Sequence, residues 1–279
     1  MGQPLLHFPI LEGHEVAVTE WGAGRSATVV LWHGLARSSA DFRDLAEALA
    51  PHYRVLAADQ IGRGLSQWAR DPASDYSFES YGRIAVALCD HFGVGQMRWV
   101  GTSMGGALGV RMAGGPLRDR ITHLVINDIA PELPAPAVER ILAYVGNPPV
   151  FDTMAELEGW LRKAYLPYGH LSEAQWRHMA RTSFRRRDDG RITAHYDPKI
   201  VQQFTGHPRD YDQWEDYERI GARTLLLRGA DSDLLLPDPA KRMTETGPRA
   251  TLVTVPACGH APALNVPDQI GRVRDFLAS

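Results

Sequence analysis

Short apolar runs alternate with amphipathic segments through the first 130 residues of the chain. Residues 5–11 and 14–21 flank Glu12-Gly13, which predicts a hairpin before the alternation begins. The continuous apolar runs that follow are typical of strands buried on both faces of a sheet, and they predict four strands: residues 28–32, 54–58, 96–100 and 123–126. Helical spacing of apolar positions predicts helices between them: residues 41–49, 80–91 and 107–113. The alternation therefore predicts a mostly parallel sheet with helices on both faces.

The pattern changes after residue 130. The alternation is interrupted by three prolines: Pro131, Pro134 and Pro136. Residues 138–217 then show helical patterns and no buried-strand run. Strands and helices alternate again at 224–227, 239–245, 250–255 and 267–277. We therefore predict an α/β core of residues 1–130 and 218–279, with a helical cap inserted at residues 131–217.

Composition and charge exclude several classes of function. The 33 acidic residues outnumber the 30 basic ones among 279, which argues against a nucleic-acid-binding surface. The Arg-rich segment 181–191 also contains two aspartates, so we interpret it as solvated surface.

With two cysteines and no CxxC or HExxH motif, neither a disulfide framework nor a zinc site is predicted. No signal-like N-terminus is seen, and no apolar run approaches the roughly 18 residues of a membrane helix, so we expect a cytoplasmic protein. The sequence does not indicate an oligomeric state.

The motif with the clearest chemical meaning is Gly101-Thr102-Ser103-Met104-Gly105-Gly106. It follows a predicted strand and opens a predicted helix, which is the context that a G-x-S-x-G nucleophile turn requires. The serine of such a turn lies on a strained corner, so its neighbours must be small. A glycine-rich turn without chemistry is the simpler alternative. A phosphate-binding loop is disfavoured because Ala107 stands where that loop needs lysine.

Together with this turn, several motifs resemble those of the α/β-hydrolase fold enzymes, and the resemblance covers nearly the whole chain. In chain order they are His33-Gly34, Asp59-x-x-Gly62-x-Gly64-x-Ser66, the turn around Ser103, Asn127-Asp128, Gly229-Ala230-Asp231-Ser232-Asp233 and Gly259-His260-Ala261-Pro262. The resemblance implies a doubly wound sheet, a helical cap over the site, and a serine, acid and histidine in that chain order.

The same resemblance assigns the base and the oxyanion hole. His260, in the loop after the last predicted strand, is the expected base, whereas His33 is expected to shape the oxyanion loop. Two backbone N–H groups, those of Leu35 and Met104, are the expected donors to the oxyanion formed at Ser103.

The acid of the triad is less narrowly defined. The family usually has the acid three residues after the glycine that ends the strand, and that position is Ser232 here, so one residue has been added. Asp233 is preferred because three leucines and a proline follow it, as in the family pattern. Asp231 and Asp128 also lie at predicted strand ends and remain alternatives.

These residues predict a serine hydrolase that cleaves a carboxylic ester or lactone of a small molecule through an acyl-enzyme, without cofactor or metal. Relatives with an aspartate nucleophile, the haloalkane dehalogenases and epoxide hydrolases, are excluded by Ser103. The chain looks most similar to small bacterial esterases and enol-lactonases. A C–C bond hydrolase of a ring-cleavage pathway and a ligand-binding receptor on the same fold remain alternatives. Five aromatic residues could line the pocket or simply pack: Trp32, Trp160, Tyr165, Trp176 and Trp214.

Overall fold

A computed structural model describes residues 3–279. Its strands are β1 (Leu5–His7), β2 (Ile10–Leu11), β3 (His14–Glu15), β4 (Val18–Trp21), β5 (Thr28–Trp32), β6 (Arg54–Ala58), β7 (Met97–Thr102), β8 (Ile121–Asn127), β9 (Val150–Phe151), β10 (Phe184–Arg186), β11 (Ile192–Ala194), β12 (Arg223–Gly229) and β13 (Thr251–Val255). The α-helices are α1 (Arg43–Leu49), α2 (Pro72–Asp75), α3 (Phe78–His91), α4 (Met104–Gly114), α5 (Ala135–Val145), α6 (Met154–Ala164), α7 (Glu173–Thr182), α8 (Gln202–Thr205), α9 (Trp214–Glu218), α10 (Pro237–Glu245) and α11 (Pro267–Leu277). Short 3₁₀ helices span Ser39–Phe42, Leu166–Tyr168 and Pro198–Val201. Among the described residues, no helix has both the length and the apolar character needed to cross a bilayer.

The main sheet has eight strands in the order β1-β4-β6-β5-β7-β8-β12-β13. Pairing is parallel from β6 through β13, and antiparallel where β4 meets β6 and β1 meets β4. The predicted fold class, a mostly parallel doubly wound sheet, is confirmed. The predicted hairpin is confirmed as well, because β2 and β3 pair directly across Glu12-Gly13.

Each face of the sheet is covered by its own apolar core. Along β5, Val30 and Trp32 contribute to one core, while Val29 and Leu31 contribute to the other. All four side chains are fully buried, since helices cover both faces of the sheet. This double burial explains why the strand appears in the sequence as an unbroken apolar run.

The segment between β8 and β12 contains helices α5 to α9, as its sequence pattern predicts. It also contains a three-stranded antiparallel sheet in the order β10-β11-β9, which the sequence did not predict. These strands are only two or three residues long, and β10 carries two arginines, so no apolar run marks them. A separate apolar core, which includes Leu161, Trp176 and Ile192, holds this part of the segment together.

Candidate active site

Ser103 occupies the corner between β7 and α4, where its backbone has φ 52° and ψ −118°. A non-glycine residue seldom adopts a positive φ, so the surrounding packing must maintain this strained conformation. A β-carbon at Gly101 would collide with the carbonyl group of Gly105, and one at Gly105 would collide with the Trp32 carbonyl group. The two glycines therefore let β7, α4 and the end of β5 approach closely enough to form the corner.

His260 follows β13 and lies between Ser103 and Asp128. Its Nε2 is 2.9 Å from Ser103 Oγ, and its Nδ1 is 2.7 Å from Asp128 Oδ2. The loop is anchored beyond the ring, where the Asn127 side-chain amide donates to the Pro262 carbonyl at 2.8 Å. The ring thus bridges the hydroxyl and the carboxylate.

Asp128 is fully buried at the carboxyl end of β8, with φ 62°. Its Oδ1 accepts the Gly229 N–H at 2.8 Å, and its Oδ2 accepts the Ser232 hydroxyl at 2.6 Å as well as the His260 ring. Three donors therefore meet one buried carboxylate, which is how a buried charge is stabilised. They also fix its orientation towards the ring.

The prediction that Asp233 pairs with His260 is wrong. Asp233 forms an ion pair with Arg140 at 2.8 Å, and 57% of its side chain is exposed. Asp231 is exposed as well. Since β8 and β12 are neighbours in the sheet, the loops after both strands reach the same place, and the carboxylate that contacts the His260 ring follows β8. The signal available in the sequence was Ser232, a hydroxyl residue at the family's acid position that here donates to Asp128.

The structure also brings the two predicted oxyanion donors to this corner. A β-carbon at Gly34 would lie 3.6 Å from Ser103 Cβ, so the loop that carries Leu35 passes directly beside the serine. Among the described residues, no turn or loop bond to a backbone acceptor involves the N–H of Leu35 or of Met104. Met104 is the first residue of α4, where the N–H groups lack partners within the helix and the dipole favours negative charge.

His33 is not placed to act as the base. Its Nε2 accepts the Gln60 N–H at 2.9 Å, which leaves Nδ1 to donate to the Gly34 carbonyl at 2.7 Å. Burial lowers the pKa of the ring from 6.5 to about 3, so it stays neutral. The carbonyl that it holds belongs to the same peptide unit as the Leu35 N–H. His33 therefore orients the predicted oxyanion donor, in agreement with the sequence expectation.

The buried histidines His33 and His195 should make stability depend on pH. Burial lowers the pKa of His195 from 6.5 to about 4, so in the folded protein both rings remain largely neutral at pH 5. In the unfolded chain they bind protons below about pH 6.5, so the free energy of unfolding falls as pH falls. We expect a loss of about 2 kcal/mol per histidine between pH 7 and pH 5. Urea unfolding at pH 7 and at pH 5 measures this difference in the free energy of unfolding. His195→Phe should reduce the loss by one histidine's share, and an unchanged pH dependence in this variant would contradict the assignment.

Arg63 is a fully buried residue between the two glycines of the Asp59 loop, and it contacts the loop that carries Leu35. Its Nε donates to the Leu35 carbonyl at 2.8 Å. Its Nη1 donates to the Ile61 carbonyl at 2.9 Å and to the Tyr81 hydroxyl at 2.8 Å. The guanidinium group therefore fixes the oxyanion loop at the Leu35 carbonyl, next to the Gly34 carbonyl that His33 holds. Its position in the loop motif was the available signal.

Replacing Arg63 with methionine should both destabilise the protein and slow the reaction. The change leaves the carbonyls of Leu35 and Ile61 without a donor, and we expect a loss of about 3 kcal/mol in the free energy of unfolding. Looser positioning of the Leu35 N–H should lower kcat about 10- to 100-fold. Arg83→Met, at an exposed ion pair with Glu79, is the control and should change neither quantity appreciably. Normal kcat in a destabilised Arg63 variant would show that the oxyanion loop does not depend on this contact.

Most of the aromatic residues considered for the pocket serve packing instead. Trp32 is fully buried and stacks on Trp99, with ring centroids 5.1 Å apart. Trp160 and Trp176 belong to the small core of the inserted segment, and the Trp214 indole donates to Glu132. Tyr165 is different, because its ring contacts Arg37. Arg37 in turn packs beside Gly34, which lies next to Ser103.

Comparison with known proteins agrees with this architecture. The family model described as alpha/beta hydrolase fold matches residues 27–265. The chain is 35% identical over 274 residues to the 3-hydroxybutyrate-oligomer hydrolase of Cupriavidus necator, covering 95% of this chain and 93% of the relative. It is 26% identical over 278 residues to the 2-hydroxy-6-oxo-2,4-heptadienoate hydrolase of Pseudomonas putida, covering 96% and 94% of the two chains.

Among solved structures, an alpha/beta hydrolase from Novosphingobium aromaticivorans superposes with a TM-score of 0.88 at 31% identity, covering 100% of this chain and 99% of that one. The relatives named here are hydrolases of different substrates, so the comparisons support hydrolase activity and leave its substrate open. Because the family model matches most of the chain and a relative is 35% identical over 95% of it, this chain belongs to the α/β hydrolase fold family.

Proposed function

We propose that this protein hydrolyses a carboxylic ester of a small molecule through an acyl-enzyme on Ser103. One observation carries the proposal: a continuous hydrogen-bonded chain runs from Ser103 Oγ through the His260 ring to the buried Asp128 carboxylate. The same three groups in the same relative positions perform acyl transfer on several unrelated folds. The neighbouring N–H groups of Leu35 and Met104 supply the second requirement, donors for a developing oxyanion.

The chemistry follows from the positions of these groups. His260 Nε2 accepts the proton of Ser103 as the hydroxyl oxygen attacks the ester carbonyl. The N–H groups of Leu35 and Met104 then hold the tetrahedral oxyanion. The imidazolium, stabilised by Asp128, gives its proton to the departing alkoxide, so an alcohol leaves and the acyl group stays on the serine. Water, deprotonated by His260, attacks the acyl-enzyme and releases the carboxylic acid and free Ser103.

Similarity to the Cupriavidus necator hydrolase selects the first substrates to try. That relative is named for 3-hydroxybutyrate oligomers, in which successive units are joined by ester bonds. We therefore propose short oligoesters of a hydroxy acid as the first candidates. Lactones contain the same carbonyl chemistry and belong to the same proposal. Cleavage of a C–C bond is the competing outcome of the test.

The test is hydrolysis of a p-nitrophenyl ester series from acetate to octanoate, together with the linear dimer of 3-hydroxybutyrate. A fluorophosphonate probe, followed by peptide mass mapping, reports whether Ser103 is the reactive serine. We expect turnover of at least one ester, and stoichiometric labelling of Ser103 that abolishes it. Labelling of Ser103 without turnover of any ester or lactone, but with cleavage of a vinylogous diketone, would replace the ester proposal with the C–C alternative. Absence of both labelling and turnover would contradict a serine hydrolase.

A further inference from the structure

Four tyrosine hydroxyls in the inserted segment make no hydrogen bond to the part of the protein that the structure describes. Of the nine tyrosines, five have hydroxyls that bond to protein groups: Tyr53, Tyr76, Tyr81, Tyr211 and Tyr217. Within residues 3–279, no protein partner contacts the remaining four hydroxyls, which we call the tyrosine cluster: Tyr144, Tyr165, Tyr168 and Tyr196. Tyr196 is only 4% exposed and the other three are partly buried. None of the four hydroxyl oxygens is fully buried, so each remains accessible to a ligand or to water.

The four hydroxyls share one region. The rings of Tyr165 and Tyr168 pack edge to face, with centroids 5.0 Å apart. Burial raises the pKa of Tyr144, Tyr168 and Tyr196, and repulsion from a charged Tyr165 would raise each of them further. Backbone contacts place Tyr196 in the same region, because the N–H of the next residue, Asp197, donates to the Gly62 carbonyl at 2.8 Å, and Tyr144 packs against the apolar core that contains Tyr196. The three raised pKa values also keep these hydroxyls protonated, so they can act as hydrogen-bond donors at neutral pH.

This region adjoins the catalytic serine. Arg37 connects the two, because its Cγ would lie 3.9 Å from a β-carbon at Gly34 and its Cζ lies 4.7 Å from the Tyr165 ring centroid. The 3₁₀ turn that contains Tyr168 is fixed to the histidine loop, since the Gly259 N–H donates to the Pro167 carbonyl at 2.7 Å. Tyr165 therefore lies beside the oxyanion loop, and the turn of Tyr168 lies beside the His260 loop.

The cationic side chains near the tyrosine cluster are already engaged: Arg63 is fully buried and donates to protein groups, and two others pair with aspartates. Arg37 makes two bonds to Asp41, at 2.7 and 2.6 Å, and Arg140 pairs with Asp233 at 2.8 Å. A substrate carboxylate would have to compete with these aspartates for either arginine. The cluster thus offers neutral donors, which suit uncharged oxygen acceptors.

We propose that the tyrosine cluster binds carbonyl or hydroxyl oxygens of the acyl segment beyond the scissile bond, and so selects oligoesters of short hydroxy acids over plain fatty acyl esters. This inference rests on the proposed ester hydrolysis and identifies the residues that set its substrate class. An apolar acyl chain would leave the hydroxyls of Tyr165 and Tyr196 unpaired in a desolvated site, which weakens binding of that chain.

Two p-nitrophenyl esters with acyl chains of equal length test the inference. One carries the linear 3-hydroxybutyrate dimer as its acyl group and the other carries octanoate, and both release p-nitrophenol from the same kind of bond. Wild-type enzyme should show the higher kcat/KM for the dimer ester. Tyr165→Phe and Tyr196→Phe should each lower kcat/KM for the dimer ester about 3- to 10-fold, and for the octanoate ester less than 2-fold. Phenylalanine keeps each ring, so the core should retain its packing, which thermal unfolding verifies.

Tyr53→Phe is the matched control, since it removes a hydroxyl bonded to the Leu277 carbonyl on the opposite face of the sheet. It should change neither kcat/KM value. Two results would overturn the tyrosine inference while leaving ester hydrolysis intact: an equal loss of kcat/KM for both esters, or no loss of kcat/KM in either Tyr165→Phe or Tyr196→Phe. Failure of the proposed function has a different signature, because then no Ser103-dependent release of p-nitrophenol occurs from either ester and both claims fall.

Discussion

Asparagine at position 128 is expected to lower kcat for ester hydrolysis by about 10⁴-fold. The Asp128 carboxylate accepts the His260 Nδ1–H at 2.7 Å and thereby leaves Nε2 free to take the serine proton. An asparagine amide has the same shape, but its NH₂ group can donate to Nδ1 and so favour the wrong tautomer. It also lacks the charge that stabilises the imidazolium. Steady-state kinetics on a p-nitrophenyl ester that wild-type enzyme cleaves measures the effect.

Asp233→Asn is the matched control for this prediction. The Asp233 side chain is more than half exposed and pairs with Arg140, so its replacement should change kcat by less than about 3-fold. Two results would overturn the assignment of the acid: nearly full activity in Asp128→Asn, or a large loss in Asp233→Asn. Circular dichroism and thermal unfolding confirm that both variants fold, which matters because Asp128 also holds Gly229 and Ser232.

Removing the nucleophile should have the largest effect of any single substitution. We expect Ser103→Ala to lower kcat for the same ester by about 10⁵- to 10⁶-fold, because no acyl-enzyme can form without the hydroxyl. Alanine at φ 52° is strained as serine is, so the corner between β7 and α4 should persist. The oxyanion donors and His260 still support slow hydrolysis in the Ser103→Ala variant, and this background is the lowest rate that we expect to measure.

Ser74→Ala, at an exposed serine on α2, is the control for general effects of losing a hydroxyl and should retain wild-type kcat. Ester turnover that survives in Ser103→Ala at more than about 1% of the wild-type rate would assign the reaction to another group.

The sheet and the nucleophile turn could be predicted because local rules determine them. A strand covered on both faces must be apolar at every position, as in β5, and the strained corner at Ser103 admits only small neighbours. The three-stranded sheet of the inserted segment follows no such rule. Its strands are too short for a pattern, and β10 exposes charged residues, so only tertiary pairing defines it.

The acid could not be assigned from the sequence alone because its position depends on sheet neighbours rather than on chain spacing. Asp128 and Asp233 follow adjacent strands, and either loop could reach His260. The residue added to the second loop changes its conformation, and this conformation decides whether the Asp233 side chain can face His260. The contact between Arg63 and the Leu35 carbonyl could not be predicted for a similar reason, because it joins two loops 28 positions apart.

Detection of an acyl group on Ser103 during turnover tests the central claim most directly. The enzyme is mixed with excess p-nitrophenyl ester, quenched with acid within milliseconds to seconds, and digested for peptide mass measurement. We expect the peptide containing Ser103 to gain the mass of the acyl group minus one hydrogen, together with an initial release of p-nitrophenol of about one equivalent where deacylation is slow. Rapid ester turnover with no adduct on Ser103, in an enzyme whose Ser103→Ala variant is equally active, would contradict the account.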